Sequence, residues 1–290
     1  MPNLERLLIA VDGSASGTFA SRIAGAIAGS GVKPTTIIQL GPERWPGRTA
    51  EDDKQEPQRS VREAAASTVT LATHPDEQMR GDVEVITRAS WAPSSQAIAE
   101  EAQKGYDLLI AGIANARGAR GGFSPDITRI ADGFEGPLAV ALAGGDPHGN
   151  EPIGRILVPV SGTDVSRRAA EVAFALARAG GSRVSALYVA SGRSDGERRG
   201  RIRGGAGLRR NEEAVLKDIA ELADRYDARI RTALRFDVAP EDAIVKAAER
   251  GGYDLIVLGV NRRPGETLFF GNIAAAVLER SHNAIVFVAS

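Results

Sequence analysis

Cysteine is absent from the 290 residues of this sequence, and histidine is scarce, with only three residues. The lack of cysteine excludes disulfide bonds, thiolate catalysis, iron–sulfur clusters and cysteine-ligated zinc sites. The histidines His74, His148 and His282 lie far apart in the sequence, and none has the spacing of a metal-ligand pair. We therefore expect neither thiol chemistry nor a histidine metal centre, and the composition fits a reducing compartment.

Long apolar runs and a charge excess are also missing. No run approaches the roughly 18–20 apolar residues that are needed to span a bilayer, and residues 1–6 lack the basic region and apolar core of a signal peptide. The 36 basic and 37 acidic residues leave a net charge of −1, which does not point to nucleic acid or an anionic membrane. We expect a cytoplasmic protein that neither binds nucleic acid nor inserts directly into a membrane.

The signatures of several enzyme classes do not occur. The sequence has no Gly-x4-Gly-Lys-Ser/Thr loop and no Gly-x-Ser-x-Gly nucleophile elbow. Asp107 and Asp254 precede apolar runs, where a structural capping role is expected, whereas Asp12 follows such a run and suits either a turn or a ligand. Because no general acid–base pair stands out, we do not expect an efficient enzyme.

What the sequence does contain is a repeat. The apolar run of residues 6–14 recurs at 155–163, and the run 106–112 recurs at 253–259, both at an offset of about 147–149 residues. A nearly constant offset between several landmarks indicates a duplicated domain of about 145 residues. We predict one domain at residues 1–145 and a second at 152–290, joined by a glycine-rich linker at 144–150.

Apolar runs alternate with segments of helical periodicity in each copy. A helix is predicted to follow the first strand at residues 16–28 and at 165–178. The second strand is predicted at 36–40 in the first copy and at 184–189 in the second. The second copy continues with a helix at 211–226, a strand at 228–236, a helix at 240–250 and a final strand at 284–288. This alternation predicts two tandem, doubly wound parallel sheets of the α/β class. Residues 191–210 carry seven arginines among glycines, and we expect a mobile solvated loop, with an anion clamp as the alternative.

One stretch stands out, from Gly259 to Asn272, between an apolar run and an alanine-rich run. The pattern predicts a strand, a glycine-bearing loop and a helix. Loops at the carboxyl ends of parallel strands bind ligands, and the start of a helix offers unpaired N–H groups to an anion. Gly271 would allow close backbone approach, and Asn272 is the predicted N-cap. We interpret this stretch as a phosphate cradle.

The same stretch has a simpler interpretation. Every strand-to-helix connection needs a turn glycine and a cap, so these residues also fit an ordinary α/β loop. Arg262 and Arg263 add positive charge, yet an arginine pair is often only a solvated part of a loop. Glu266 lies in the same loop and would repel a polyphosphate.

The combination of these landmarks resembles the universal stress protein domain in its tandem form. The resemblance rests on Val158-Pro-Val-Ser-Gly-Thr163, Tyr253-Asp-Leu-Ile-Val-Leu-Gly259, Gly271 and Ile285-Val-Phe-Val288. It implies two five-stranded, Rossmann-like α/β domains that pair through their final strands as a pseudo-dimer within the chain. It also implies a stress-response protein that binds ATP or AMP between strand 1 and the loop after strand 4; whether Mg²⁺ accompanies the nucleotide is left open.

The family's nucleotide loop reads Gly, two residues, Gly, nine residues, Gly, and then Ser or Thr. The resemblance places Gly259 and Gly271 at two of these glycines and Asn272 at the hydroxyl position. Arg262 stands where the middle glycine is usual, and the loop is one residue short. At the end of strand 1 the family has an Asp that contacts the nucleotide, and this sequence has Ser161. The positions that match the base-contacting residues are Pro159, Val160 and Val189.

The first copy departs further from the family's loop. It keeps Asp12 and Gly112, but Ser124 and Pro125 occupy the positions of Gly271 and Asn272. Proline in the first helical turn lacks an N–H that a phosphate would use. We therefore predict that the first copy has a degenerate nucleotide loop and a structural or partner-binding role.

Three functions remain open at this point. The first is a regulatory protein that binds an adenine nucleotide in its second domain, and the second is an interaction module without nucleotide. The third is slow ATP hydrolysis. Residues 265–272 and 133–138 also resemble tandem stress-protein-like domains on the cytosolic side of some cation/proton antiporters. The protein partner is not identifiable, and the tandem chain could also pair again as a homodimer.

Overall fold

A computed structural model describes residues 6–11, 14–29, 35–40, 85–90, 94–113, 123–143, 153–190, 205–261 and 271–289. The strands are β1 (Leu7–Val11), β2 (Thr35–Leu40), β3 (Val85–Ser90), β4 (Leu108–Gly112), β5 (Leu138–Leu142), β6 (Arg155–Val160), β7 (Arg183–Val189), β8 (Ile230–Arg235), β9 (Leu255–Val260) and β10 (Ala284–Ala289). The helices are α1 (Ala15–Gly29), α2 (Ser94–Ala102), α3 (Pro125–Asp132), α4 (Asp164–Gly180), α5 (Gly205–Arg225), α6 (Pro240–Gly251) and α7 (Asn272–Arg280).

The ten described strands belong to one sheet, in the order β3-β2-β1-β4-β5-β10-β9-β6-β7-β8. Each half of the chain contributes five strands in the same order: third, second, first, fourth, fifth. Neighbouring strands are parallel except β5 and β10, which pair antiparallel from Leu138↔Ala289 to Leu142↔Ile285. The α/β class and the pairing of the two halves through their final strands are therefore confirmed.

The helices cover the sheet on both faces, as expected for a doubly wound fold. One face packs against α1, α4 and α5, and the opposite face against α2, α3, α6 and α7. Because the central strands are covered on both sides, they must be apolar along their whole length. The strands β1, β4 and β5 are buried at every position, which explains the uninterrupted apolar runs of the sequence.

The predicted helices and strands agree closely with the observed ones, with one clear correction. The helix α5 begins at Gly205 rather than at residue 211, so the last six residues of the arginine-rich stretch are helical. Glycines at 205 and 207 conceal this start, because glycine is a poor helix former. The predicted linker 144–150 lies outside the described residues, and the division into domains at 1–145 and 152–290 stays a prediction.

Two aspartates hold the amino ends of equivalent strands. The Asp254 carboxylate accepts hydrogen bonds from the backbone N–H groups of Gly154 (2.9 Å) and Arg155 (2.8 Å). In the first half, Asp107 accepts one from the N–H of Arg6 at 2.9 Å. These contacts confirm the capping role that the sequence predicts for both residues. Within the described ranges, no helix is long and apolar enough to cross a membrane.

Candidate functional site

The second half of the sheet contains a topological switch point between β6 and β9. These strands are neighbours, yet the helix that follows β6 (α4) and the helix that follows β9 (α7) lie on opposite faces. From the carboxyl ends of β6 and β9 the chain therefore continues toward opposite faces of the sheet, which opens a crevice between these two strand ends. In open α/β sheets, ligands bind in this crevice.

The two halves differ at their switch points. In the first half, β1 and β4 pair along five residues, from Leu7↔Leu108 to Val11↔Gly112. In the second half, β6 and β9 pair only at Ile156↔Leu255 and Leu157↔Ile256, near their amino ends. The ladder of the second half thus stops before the edge where a ligand would bind.

Pro159 gives a physical reason for the shorter ladder. The carbonyl oxygen of Arg155 accepts a hydrogen bond from Asp254 N at 3.0 Å, so every second residue of β6 from Arg155 onward faces β9. Pro159 is one of these residues and has no N–H to donate. In β1, the offset of the repeat puts Ala10 at this position, and alanine keeps its N–H. Pro159 is also buried within its strand.

A short loop with two exposed hydroxyl groups follows β6. Ser161 Oγ and Thr163 Oγ1 are 3.0 Å apart, and the N–H of Ser161 donates to Ser166 Oγ at 3.2 Å. Thr163 is the N-cap of α4, and its side chain accepts a hydrogen bond from Ser166 N at 3.4 Å. Gly162 has φ of +77°, and a Cβ there would lie 2.8 Å from Val215 Cγ2 of α5. The loop is therefore fixed between α4 and α5, with its hydroxyl groups at the crevice.

Gly259, a predicted ligand contact, has a packing role in this structure. A Cβ at Gly259 would lie 2.2 Å from the carbonyl oxygen of Val165, in the first turn of α4. In the first half, a Cβ at Gly112 would lie 2.2 Å from the carbonyl oxygen of Ser16. Both halves thus need glycine here for the approach of helix to strand, and a phosphate contact by Gly259 stays a prediction.

The start of α7 corrects one assignment. Gly271, with φ of 88° and ψ of 166°, is the N-cap, and Asn272 is the first helical residue rather than the cap. This backbone conformation is accessible to glycine and strained for other residues, which explains the shift. A Cβ at Gly271 would meet nothing within 4 Å, so its surroundings in the described structure are open.

Among the described residues, no side chain caps the N–H groups of the first turn of α7. Gly271 makes no side-chain cap hydrogen bond, because glycine has no side chain, and Asn272 is exposed. Helix starts of this kind carry unpaired N–H groups and a partial positive charge, a combination that binds anions.

The equivalent helix of the first half offers fewer N–H groups at its start. Ser124 is the N-cap of α3, and its Oγ accepts a hydrogen bond from Ile127 N at 3.5 Å. Pro125 occupies the first helical position and has no N–H. In α3 the first helical N–H is thus missing and the N–H of Ile127 has a side-chain partner, and the degenerate nucleotide loop of the first copy stays a prediction.

Three predicted site residues remain: Val160, Val189 and Arg262. Val160, at the end of β6, is only 5% exposed, so it offers little surface to a base. Val189 ends the neighbouring strand β7 and is half-buried. Arg262, like Arg263, Glu266 and Asp12, lies outside the described residues.

His282 is exposed, and the described part of the chain holds no cluster of three metal-ligating side chains.

Sequence reasoning missed Glu212 in α5. Its side chain is buried, with 8% of the residue exposed, and no described group donates a hydrogen bond to its Oε2. A glutamate in a charged helix is usually solvated, so the residue type drew no attention. The signal was its spacing, because Glu212 precedes Val215 by three residues and so continues the stripe of Val215, Ile219 and Leu222 that faces the core.

An ion pair links the two helices that flank the loop after β6. The Arg167 guanidinium in α4 donates a hydrogen bond to the Asp218 carboxylate in α5, and this bond raises the pKa of Arg167. The pair is partly exposed, so it adds little to the stability of the fold.

Comparisons with known proteins agree on one family. Residues 152–289 match the model of the Universal stress protein family. A universal stress protein of Methanocaldococcus jannaschii is 27% identical over 143 residues, which are 46% of this chain and 81% of that protein.

Solved structures share the architecture of the whole chain. A universal stress protein from Archaeoglobus fulgidus superimposes with a TM-score of 0.59 at 16% identity, covering 98% of both chains. A putative universal stress protein from Pseudomonas aeruginosa gives a TM-score of 0.57 at 13% identity, covering 99% of this chain and 94% of that one. At these identities the likeness concerns the fold.

Proposed function

Since residues 152–289 form a universal stress protein domain, we propose that the second half of this chain binds an adenine nucleotide, ATP or AMP, and acts as a regulatory protein. The nucleotide lies at the switch point between β6 and β9. The observation that carries this proposal is the start of α7, where Gly271 leaves the first-turn N–H groups without a side-chain cap.

The phosphates bind at this helix start. The N–H groups of Asn272, Ile273 and Ala274 belong to the first turn and lack i−4 carbonyl partners within the helix. An anion there also gains from the partial positive charge of the helix terminus. Because α3 has a capping serine and a proline at the equivalent place, the proposal assigns the phosphates to the second half alone.

The nucleoside lies over the ends of β6 and β7. The ladder between β6 and β9 stops after Leu157, which leaves backbone groups near the crevice without a strand partner. Ser161 and Thr163 present two hydroxyl groups there, and either one can donate to a ligand. Val189 supplies apolar surface at the end of β7.

The test is a calorimetric titration of the natively purified chain with ATP and AMP, together with mass spectrometry of any small molecule released on denaturation. We expect one nucleotide per chain. The variant Asn272→Pro removes a single N–H from the first turn of α7, and Asn272→Ala is its matched control because alanine keeps that N–H. Proline is well tolerated at the first helical position, so both variants should fold.

Asn272→Pro should weaken ATP binding about tenfold or more, as expected for the loss of a hydrogen bond to a charged group. Asn272→Ala should bind ATP like the unmodified chain. Absence of ATP and AMP binding in the unmodified chain, or equal ATP affinities of the two variants, would contradict the proposal. Thermal melting of both variants verifies that an altered affinity does not arise from unfolding.

A further inference from the structure

One oxygen of the buried Glu212 carboxylate, Oε2, lacks a hydrogen-bond partner in the part of the chain that the structure describes. Glu212 is 8% exposed, and its Oε2 receives no hydrogen bond from a described group. A buried polar atom without a partner destabilises a folded protein, so such an atom calls for a specific explanation, and a bound ligand is one. The partner must be a hydrogen-bond donor, because a carboxylate only accepts.

Glu212 lies beside the loop that follows β6. It is three residues before Val215, whose Cγ2 is 2.8 Å from the position of a Cβ at Gly162. Residues three apart share one face of a helix, so Glu212 faces the same side as Val215.

The direction of α5 places the carboxylate at the ligand edge. This helix follows β7 and therefore begins at the carboxyl edge of the sheet, so Glu212 lies about 4.5 Å nearer that edge than Val215 does. Helical side chains lean toward the N-terminus, which carries the carboxylate further in the same direction. Its position is thus above the loop of Ser161 and Thr163.

We propose that Glu212 is a specificity-determining residue of the nucleotide site, where it accepts a hydrogen bond from an uncharged donor of the nucleoside. This inference rests on the proposed function. The uncharged donors of an adenine nucleotide are the ribose hydroxyl groups and the 6-amino group of the base.

The negative charge of Glu212 and the position of α5 favour a contact of this residue with the nucleoside rather than with the phosphates. A carboxylate repels phosphate, whereas the start of α7 attracts it. The helices α5 and α7 lie on opposite faces of the sheet and flank the crevice from either side. A nucleotide with its phosphates at Gly271 therefore directs its nucleoside toward α5.

The experiment measures the affinities of ATP, 2′-deoxy-ATP, 3′-deoxy-ATP and ITP, which has no 6-amino group, by calorimetry. Each ligand is titrated into the unmodified chain, into Glu212→Gln and into Glu213→Gln. Glu213 is the matched control, because it neighbours Glu212 in the same helix and is exposed. Thermal melting of the ligand-free proteins reports on the fold of each variant.

For the unmodified chain we expect at least one analogue to bind about tenfold more weakly than ATP, and that analogue identifies the donor. Glu212→Gln should bind ATP about tenfold more weakly and discriminate less against the same analogue. The ligand-free Glu212→Gln protein should melt at a higher temperature, since a neutral amide is less costly to bury than a carboxylate. Glu213→Gln should behave like the unmodified chain in all of these measurements.

Two results would overturn the role of Glu212 and leave the proposed function intact. One is equal affinity of the unmodified chain for ATP and all analogues. The other is a Glu212→Gln variant whose ATP affinity and discrimination between ATP and the analogues are unchanged. The second result would assign Glu212 a purely structural role, even with a raised melting temperature. If the unmodified chain binds no ATP, the proposed function and this inference both fail.

Discussion

Gly259 at the end of β9 lies against the backbone carbonyl oxygen of Val165 in α4, so closely that a Cβ would lie 2.2 Å from that oxygen. Gly112 and Ser16 show the same relationship in the first half, with the same distance of 2.2 Å. The contact thus belongs to the fold of each half.

We predict that Gly259→Ala and Gly112→Ala both destabilise the chain, by about 1–3 kcal/mol or more, because the methyl group overpacks a backbone contact that cannot easily move. Urea unfolding at equilibrium measures the loss. Two alanine variants as stable as the unmodified chain would show that the helix moves away from the strand at little cost.

Phe123 and Phe287 form an edge-to-face pair between the two halves, with ring centroids 5.3 Å apart and an interplanar angle of 86°. We predict that Phe123→Leu and Phe287→Leu are coupled by about 0.5–1.5 kcal/mol in a double-mutant cycle, as found for other aromatic pairs. Equilibrium unfolding of the two single variants and the double variant provides the cycle. Strictly additive losses of stability would mean that the edge-to-face contact does not stabilise the pairing of the two halves.

Pro159→Ala should restore an N–H that faces β9 and extend the ladder toward the carboxyl edge. The new hydrogen bond raises the free energy of unfolding by about 0.5–1.5 kcal/mol. The loss of proline's rigidity in the unfolded chain lowers it by about 0.4–1 kcal/mol. We therefore expect little change in stability but a hydrogen-exchange-protected amide at position 159 and weaker ATP binding.

The reciprocal variant Ala10→Pro is the control for this effect. It should shorten the ladder between β1 and β4, lower the stability of the first half and leave ATP affinity unchanged. If Pro159→Ala gains no amide protection, the proline is not what ends the ladder between β6 and β9.

Glu171 in α4 makes stability depend on pH. Burial raises the pKa of its carboxyl group above the ordinary 4.5, although Arg168 and Arg167 act in the opposite direction. A raised pKa means that the folded chain binds this proton more tightly than the unfolded chain. The contribution of Glu171 to stability is therefore greatest below pH 4.5 and falls as pH rises through the folded-state value.

Glu171→Gln removes this dependence. Relative to the unmodified chain, the variant should gain free energy of unfolding at pH 7.5, and the gain should shrink as pH is lowered toward 4.5. Urea unfolding at several pH values measures the difference. A difference that does not vary with pH would show that Glu171 has the same pKa in both states.

The sequence by itself determined the architecture of this protein. A strand covered by helices on both faces must be apolar throughout, so the runs that became β1, β4, β6 and β9 were legible directly, and their constant offset revealed the duplication. The predicted difference between the two halves also followed from local chemistry, because Pro125 lacks an N–H in any context.

The tertiary structure decided the roles of individual residues at the site. Gly259 is required by its contact with Val165, and Pro159 ends a ladder whose partner residues lie 99 positions further along the chain. Glu212 is buried in α5, which packs beside the loop after β6. The N-cap at Gly271 likewise follows from a positive φ that no sequence pattern states. These properties depend on contacts between segments that are distant in sequence, whereas periodicity and turn chemistry report only on near neighbours.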